Sequence, residues 1–169
     1  MKNLCFIVLL LLFIAACQPA TDNSADEAFQ KNAATTRAYL AAFQAENVDY
    51  SVFSSEFTFR DTGFGPEKIV TLDEMKEGDK NLWAGYDFKI VGFDTLRLLP
   101  GVNNLTGKPD GSVRYYGDWE ITKSATDSTV AKTAILKSYE SFDFDSDGKI
   151  FFQQIYGDFS GVFGYLNSN

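Results

Sequence analysis

The sequence predicts an α+β domain, and three observations carry that expectation. Helical periodicity is confined to the first half of the chain, strand alternation fills most of the second half, and clusters of turn-forming residues separate the strands at short intervals. Helices followed by a run of hairpin-connected strands, without βαβ alternation, imply a curved antiparallel sheet with three helices from the N-terminal half on its concave side.

The elements follow in order. Ser24-Ala25-Asp26-Glu27 reads as a capping box, and Phe29, Ala33, Thr36, Leu40 and Phe43 then recur at steps of three and four, predicting a helix to about Glu46. Asp49 is placed to cap a second, short helix through Tyr50 to Ser54. Phe57-Thr58-Phe59-Arg60-Asp61 alternates as a strand does, and Thr62-Gly63-Phe64-Gly65-Pro66 ends it with turn residues. Thr71-Leu72-Asp73-Glu74 forms a second capping-box pattern, opening a third helix to about Trp83 that Gly78 weakens by roughly 1 kcal/mol. Strands are expected near Tyr86–Leu99, Ser112–Lys123, Thr129–Phe144 and Lys149–Phe159, separated by Gly101 to Gly111, Ser124 to Ser128 and Asp145 to Gly148.

A leader precedes the domain. Lys2 is followed by an apolar run from Leu4 to Ile14, too short for the roughly 20 residues of a membrane-spanning helix, and then by Ile14-Ala15-Ala16-Cys17. This arrangement resembles a bacterial lipoprotein signal, in which a small-residue lipobox ends on the cysteine. The resemblance implies removal of residues 1–16, acylation of Cys17, a lipidated tether over 17–23 and a domain over 24–169. Because Gln18 rather than Asp follows the cysteine, it also implies attachment to the outer membrane of a Gram-negative envelope. Cys5 leaves with the leader and Cys17 carries lipid, so the domain has no disulfide and its stability must come from packing.

Composition narrows the chemistry. The net charge of −8 becomes more negative when Lys2 is lost, and so acidic a domain repels nucleic-acid phosphates. The chain contains no His, which excludes Ser-His-Asp and Cys-His catalysis and removes the imidazoles of ordinary zinc sites. Any acid or base must therefore be Asp, Glu, Tyr or Lys. No cofactor motif is present. The sequence is rich in aromatic residues, with 16 Phe, 8 Tyr and 2 Trp, which suits either a thick core or a large apolar pocket.

The long first helix ending in Ala41-Ala42-Phe43, the strand Phe57 to Asp61, the strand carrying Tyr115-Tyr116-Gly117-Asp118-Trp119 and the late hairpin Asp147-Gly148-Lys149-Ile150 together resemble the NTF2-like superfamily. This is the SnoaL-like or ketosteroid-isomerase-like cone, and the resemblance covers roughly 24–165. It implies a conical cavity between the helices and the sheet, used by some members for isomerisation, dehydration, cyclisation or epoxide opening, and homodimerisation through the open sheet face.

Within that frame Asp61, at a strand end where SnoaL-like relatives often have an aspartate, is the candidate general base; its competing role is to bind turn amides before Gly63. Adjacent strand residues face opposite sides, so Arg60 and Asp61 do not both enter the cavity without a bulge. Val113, Tyr115, Gly117, Trp119 and Ile121 form the inward alternation of their strand, which puts Asp118 outside. Tyr39, Trp83, Tyr115 and Trp119 are candidate pocket residues, joined by Lys137 and Tyr139 from the following strand and by Gln154 and Tyr156 from the last. SnoaL-like relatives often place His or Trp-Asp where this chain has Gln153-Gln154-Ile155, a departure that removes an ionisable group.

Asp143-Phe144-Asp145-Ser146-Asp147-Gly148 matches the start of an EF-hand loop, but Gln154 stands where the loop needs its bidentate Glu, and no metal site is expected. A plain hairpin turn explains the segment. The expected function is a non-enzymatic, membrane-anchored module binding a small apolar ligand or a protein partner. The alternative is a His-free lyase or isomerase with Asp61 as base and Tyr39, Tyr115 or Tyr156 as donor.

Overall fold

A computed structural model describes residues 22–61, 65 and 68–168, the Asp61 side chain excepted. The leader, Cys17, most of the tether and the turn at 62–67 other than Gly65 thus lie outside the described residues. Helix α1 (Ser24–Gln44) already contains Ser24, so the expected capping box does not form. Asn23 occupies the cap position without a side-chain bond, and Asp22 instead accepts from the Ser24 amide at 3.0 Å. The buried stripe falls on Asn32, Thr36, Tyr39 and Leu40, with Phe29, Ala33 and Phe43 packed against the core beside it.

Asp49 does cap the next element, but this is a single 3-10 turn (Tyr50–Val52) that leads directly into β1 (Phe53–Asp61). A short edge strand, β2 (Lys68–Thr71), precedes α2 (Leu72–Trp83). Here the capping box forms as the sequence predicts: Thr71 accepts from the Glu74 amide while Glu74 accepts from the Thr71 amide at 2.8 Å.

The expected strand over 86–99 is two strands, β3 (Asp87–Ile90) and β4 (Leu98–Val102). Gly92, in the left-handed region at φ 69°, starts a 3-10 turn over Phe93–Thr95 between them. Arg37 fixes this turn to α1 by donating to the Phe93 and Leu96 carbonyls. The long hairpin β5 (Pro109–Lys123) and β6 (Lys132–Phe144) forms the middle of the sheet, followed by β7 (Ile150–Gly157). β3 pairs with the far end of β5 and β4 with its near end.

The seven-stranded sheet runs β2-β1-β7-β6-β5-β3, with β4 also on β5, and is curved but unclosed. It is mixed rather than purely antiparallel, because β1 and β7 pair in parallel. The three helices are also not all in the N-terminal half, because the predicted second one is only the 3-10 turn and another follows the last strand. It is α3 (Phe159–Asn167) at the C-terminus, capped by Asp158, whose carboxylate accepts from the Gly161 amide at 2.9 Å. The resulting architecture is an α+β cone, with α1 packed against β5 and α3 against β6.

The core is strongly aromatic. Tyr39 meets Phe53 edge-on at 5.3 Å, Phe53 meets Phe57 at 4.7 Å, and Phe43 contacts Trp83, Phe88 and Trp119 at 5.4 to 5.6 Å. Such pairs add about 0.5–1.5 kcal/mol each beyond the area they bury. This filling leaves a hollow between the helices and the sheet.

Candidate functional site

The hollow has a volume of about 540 Å³, within the range of small-molecule sites. Its wall is built by α1 (Tyr39, Leu40, Phe43), by α2 (Met75, Asp79, Leu82), by the inward residues of β1, β3, β5, β6 and β7, and by Phe159, Ser160 and Phe163 of α3. Most of this surface is aromatic or aliphatic. Two carboxyl groups interrupt it.

Asp79 reaches the cavity because it stands one helical turn after Met75, on the face that α2 buries. It is 6% exposed, and Tyr50 donates its hydroxyl to Asp79 Oδ2 at 2.8 Å. Loss of solvent pushes its acid dissociation up to about pH 6, against the opposing pull of the Tyr50 hydrogen bond. Glu140 comes from β6, where Leu136, Ser138, Glu140 and Phe142 share the inward parity. It is 3% exposed, accepts from Trp119 Nε1 at 3.0 Å and from the Gln153 amide at 3.4 Å, and is raised by burial to about 7.

Tyr39 lies within electrostatic reach of both carboxyl groups. Burial, with the negative charge at Asp79 and then Glu140 adding to it, holds the Tyr39 phenol well above its ordinary range, so it stays protonated and can only donate or accept a hydrogen bond. Gln153, 4% exposed, has a side-chain oxygen with no hydrogen-bond partner. At the rim stand Lys68 and Glu74, both exposed, the latter engaged in the helix cap. The arrangement can hold an apolar molecule, take a proton at a carboxylate and hydrogen-bond an oxygen.

The sequence candidates distribute unevenly around this cavity. Tyr39 and Trp119 line it. Trp83 packs against Phe43 without reaching the wall, and its indole N–H is buried without a partner. Tyr115 is fully buried and lies over Gly117, away from the wall; its hydroxyl is also unpartnered. Asp61 stands in backbone register with Lys68 and Ile155, and its side chain lies outside the described residues.

Lys137, Tyr139, Gln154 and Tyr156 are placed on the opposite face of the sheet from the cavity. On β6 the inward parity belongs to Leu136 and Glu140, so Lys137 and Tyr139 turn outward. On β7 the cause is a bulge. Phe144 pairs with Ile150 but Asp143 with Phe152, so Phe151 is an extra residue and the alternation changes phase after Ile150. Gln153 and Ile155 therefore reach the cavity, where uninterrupted alternation from buried Ile150 would have placed Gln154 and Tyr156. Outside, Tyr116, Tyr139 and Tyr156 form a ladder across β5, β6 and β7, with ring centroids 4.7 and 6.0 Å apart.

The EF-hand-like segment is occupied by its own turn. Asp143 pairs with Arg114 at 2.9 Å, and Asp145 accepts from the Asp147 and Lys149 amides, closing the β6–β7 hairpin with Gly148 at φ 75°.

No family model matches the chain, and no curated protein does. Solved structures do. A candidate polyketide cyclase from Silicibacter sp. TM1040 superposes with a TM-score of 0.61 at 18% identity, over 83% of this chain and 97% of that one. The epoxide hydrolase/cyclase-like enzyme SalBIII, of pyran ring formation in the polyether salinomycin, gives 0.58 at 18%, over 80% and 95%. A steroid delta-isomerase from Pseudomonas aeruginosa gives 0.51 at 15%, over 80% and 85%. The fold is therefore the α+β, NTF2-like cone that these solved structures share.

Proposed function

We propose that this chain is a lipid-anchored envelope protein whose cone is a histidine-free proton-transfer site of the isomerase or lyase class, with Asp79 as base. The observation that carries this reading is the pair Asp79 and Glu140, two carboxyl groups buried on one apolar cavity with no buried cation lining it among the described residues. Burying an ionisable group is costly, and Leu or Met would fill either place without that cost. A base whose dissociation lies near pH 6 is also well matched to proton abstraction at neutral pH. The names of the structural neighbours, a cyclase-like enzyme and a steroid isomerase among them, support the same class.

In this reading the Asp79 carboxylate removes a proton from a carbon next to a substrate carbonyl. The C–H electron pair moves into the carbon framework and negative charge develops on the oxygen, to which the Tyr39 hydroxyl donates a hydrogen bond. The proton then returns to another carbon, giving an isomer, or passes to a departing β-hydroxyl, giving water and an alkene. Neither outcome needs a cofactor or a redox partner. Asp79 thereby takes the role the sequence reading gives to Asp61.

Binding without turnover is the second reading, and the predominance of aromatic and aliphatic wall over polar groups favours it. The lipobox ending at Cys17 supports membrane attachment, and the exposed Tyr116 and Tyr156, with half-buried Tyr139 between them, are the surface a second copy would cover. The discriminating experiment is proton exchange. Full-length protein in D2O with a panel of cyclic ketones should place deuterium at the carbon next to the carbonyl, seen by NMR, and Asp79→Asn should slow this by about 100-fold or more. Ligand binding without exchange anywhere in the panel would transfer the cavity to the second reading. Cys17→Ser should move the protein from the membrane to the soluble fraction.

A further inference from the structure

Helix α1 begins at the end of the cone where the β4–β5 hairpin turns. Asn32 of α1 donates to the Gly111 carbonyl at 3.0 Å, and further along Phe43 meets Trp119 with ring centroids 5.6 Å apart. The helix and β5 thus advance side by side, and going back along α1 towards Ser24 is going back along β5 towards the hairpin. From the Gly111 contact, Ser24 lies about 12 Å away along the helix and the loop 104–106 about 13 Å away along the strands. The loop stands level with the start of the domain.

Its composition differs from the rest of the molecule. The chain carries 23 acidic residues, yet from Leu98 to Pro109 the one charged residue is Lys108. The same stretch exposes Leu99, Val102 and Leu105, the last at 95%. A single exposed leucine is ordinary, but three large apolar residues on one projecting hairpin, with a lysine and no acid among them, form a patch. The loop holds Leu105 outward by its own hydrogen bonds. The Asn103 side chain accepts from the Leu105 and Thr106 amides, both at 3.0 Å, and Gly107, at φ 66°, donates its amide to the Asn103 carbonyl.

The acidic hairpin on the same side is shorter. A Cβ added at Gly148 would lie 3.0 Å from Lys31 Nζ, so the β6–β7 turn with Asp145 and Asp147 ends alongside Lys31, set back from the loop that carries Leu105. What faces this end is decided by the connection to Cys17. On the reading of Cys17 as a lipid anchor, on which this inference rests, residues 18–23 join the acylated cysteine to Ser24 and span at most about 25 Å when fully extended. So short a connection keeps the hairpin end of the cone close to the bilayer.

We infer that the β4–β5 hairpin is a membrane-contact element. Leu105, with Val102 behind it, enters the interface of the phospholipid leaflet that holds the anchor, while Lys108 keeps its ammonium among the phosphate groups. The surface it meets is zwitterionic, because Asp22, Asp26 and Glu27 at the start of α1 repel an anionic one. The acyl chain retains the protein, and the hairpin sets its orientation.

The test is a spin label on the lipidated protein in phosphatidylcholine vesicles. With Cys5 removed and Cys17 acylated, Asn104→Cys beside Leu105 gives a single free thiol for a nitroxide. Val130→Cys does the same in the exposed β5–β6 connection at the opposite end of the long strands. Burying one leucine side chain favours the inserted state by more than tenfold, so the label at 104 should collide with a water-soluble nickel chelate about tenfold less often than the label at 130. It should also collide more often with oxygen, which concentrates in lipid. Adding Leu105→Asp should return the label at 104 to the aqueous value while the protein stays on the vesicles. Protein that floats with the vesicles while both labels are equally open to nickel would overturn the inference and leave the anchor standing. A label at 104 shielded from nickel and oxygen alike would place a second copy or another protein over the hairpin and overturn it as well. Protein that does not float with the vesicles would overturn the anchor reading, and the inference with it.

Discussion

Trp119 on β5 donates its indole N–H to Glu140 on β6 at 3.0 Å, although the two residues are not cross-strand partners: Trp119 pairs with Leu136, and Glu140 with Tyr115. The indole reaches along the inward face to do so. This bond stabilises the charged form of Glu140 and opposes the effect of burial.

Trp119→Phe keeps an aromatic ring against Phe43 and removes only the donor. Hydrogen bonds to charged groups contribute about 1.5–3 kcal/mol, so Glu140 should become harder to ionise by about one to two pH units. A carbon-13 titration of the glutamate carboxyls would read this directly. No upward movement would mean that the indole does not compensate Glu140.

Both cavity acids should make the protein less stable as pH rises. Their folded values, about 6 for Asp79 and about 7 for Glu140, exceed the ordinary 3.8 and 4.5, so the folded state holds more protons than the unfolded one between those limits. The stability these two groups contribute is fully present below about pH 4, falls through the window from 4 to 7, and is lost above it. The loss is of the order of 3 kcal/mol per group. Denaturant unfolding at pH 5 and pH 8 should show it, and Asp79→Asn with Glu140→Gln should flatten the difference. A wild-type profile matching that of the double variant would refute the assignment.

Gly117 lets the Tyr115 ring lie flat along its own strand. A Cβ at 117 would overlap that ring, which is fully buried and has no room to withdraw. Gly117→Ala should therefore destabilise by about 1–3 kcal/mol, the usual cost of overpacking, although alanine is otherwise acceptable in a strand. Thermal unfolding measures it, and the double variant Tyr115→Leu, Gly117→Ala should recover part of the loss.

The outer tyrosine ladder predicts self-association. Tyr116 is 62% exposed and Tyr156 45%, large values for aromatic residues standing side by side on a sheet. Sedimentation of the detergent-solubilised protein should give a dimer that Tyr116→Lys combined with Tyr139→Lys converts to monomer. A wild-type monomer would remove the ladder from any role between copies.

The fold class was legible because its evidence is local. The Thr71 capping box, the inward alternation from Val113 to Ile121 and the Asp145 to Gly148 turn each depend on neighbours within a few residues. The parallel pairing of β1 with β7 was not legible, since it joins strands about a hundred residues apart. Helix α3 did carry signals, with an Asp158 cap and apolar residues at 159, 162, 163 and 166, but Gly161 and Gly164 weaken the helical reading.

The site was only half legible, for a more specific reason. Tyr39 and Trp119 follow from simple periodicity. Gln153 was hidden by a bulge that no local pattern announces, and the error moved attention to Gln154 and Tyr156. Glu140 was readable in principle through its shared parity with Leu136 and Phe142, yet Ile135 on the other face blurs that alternation. Asp79 resembles any polar residue of an amphipathic helix until α2 is seen to bury it.

The central claim is that the chemistry of this cone resides in Asp79 and Glu140. A carbon-13-detected pH titration of the carboxyl groups, assigned with Asp79→Asn and Glu140→Gln, tests it most directly. Two resonances with midpoints near 6 and near 7, disappearing one at a time in the two variants, are the expected result. Midpoints of both groups near 4, indistinguishable from surface carboxylates, would contradict it.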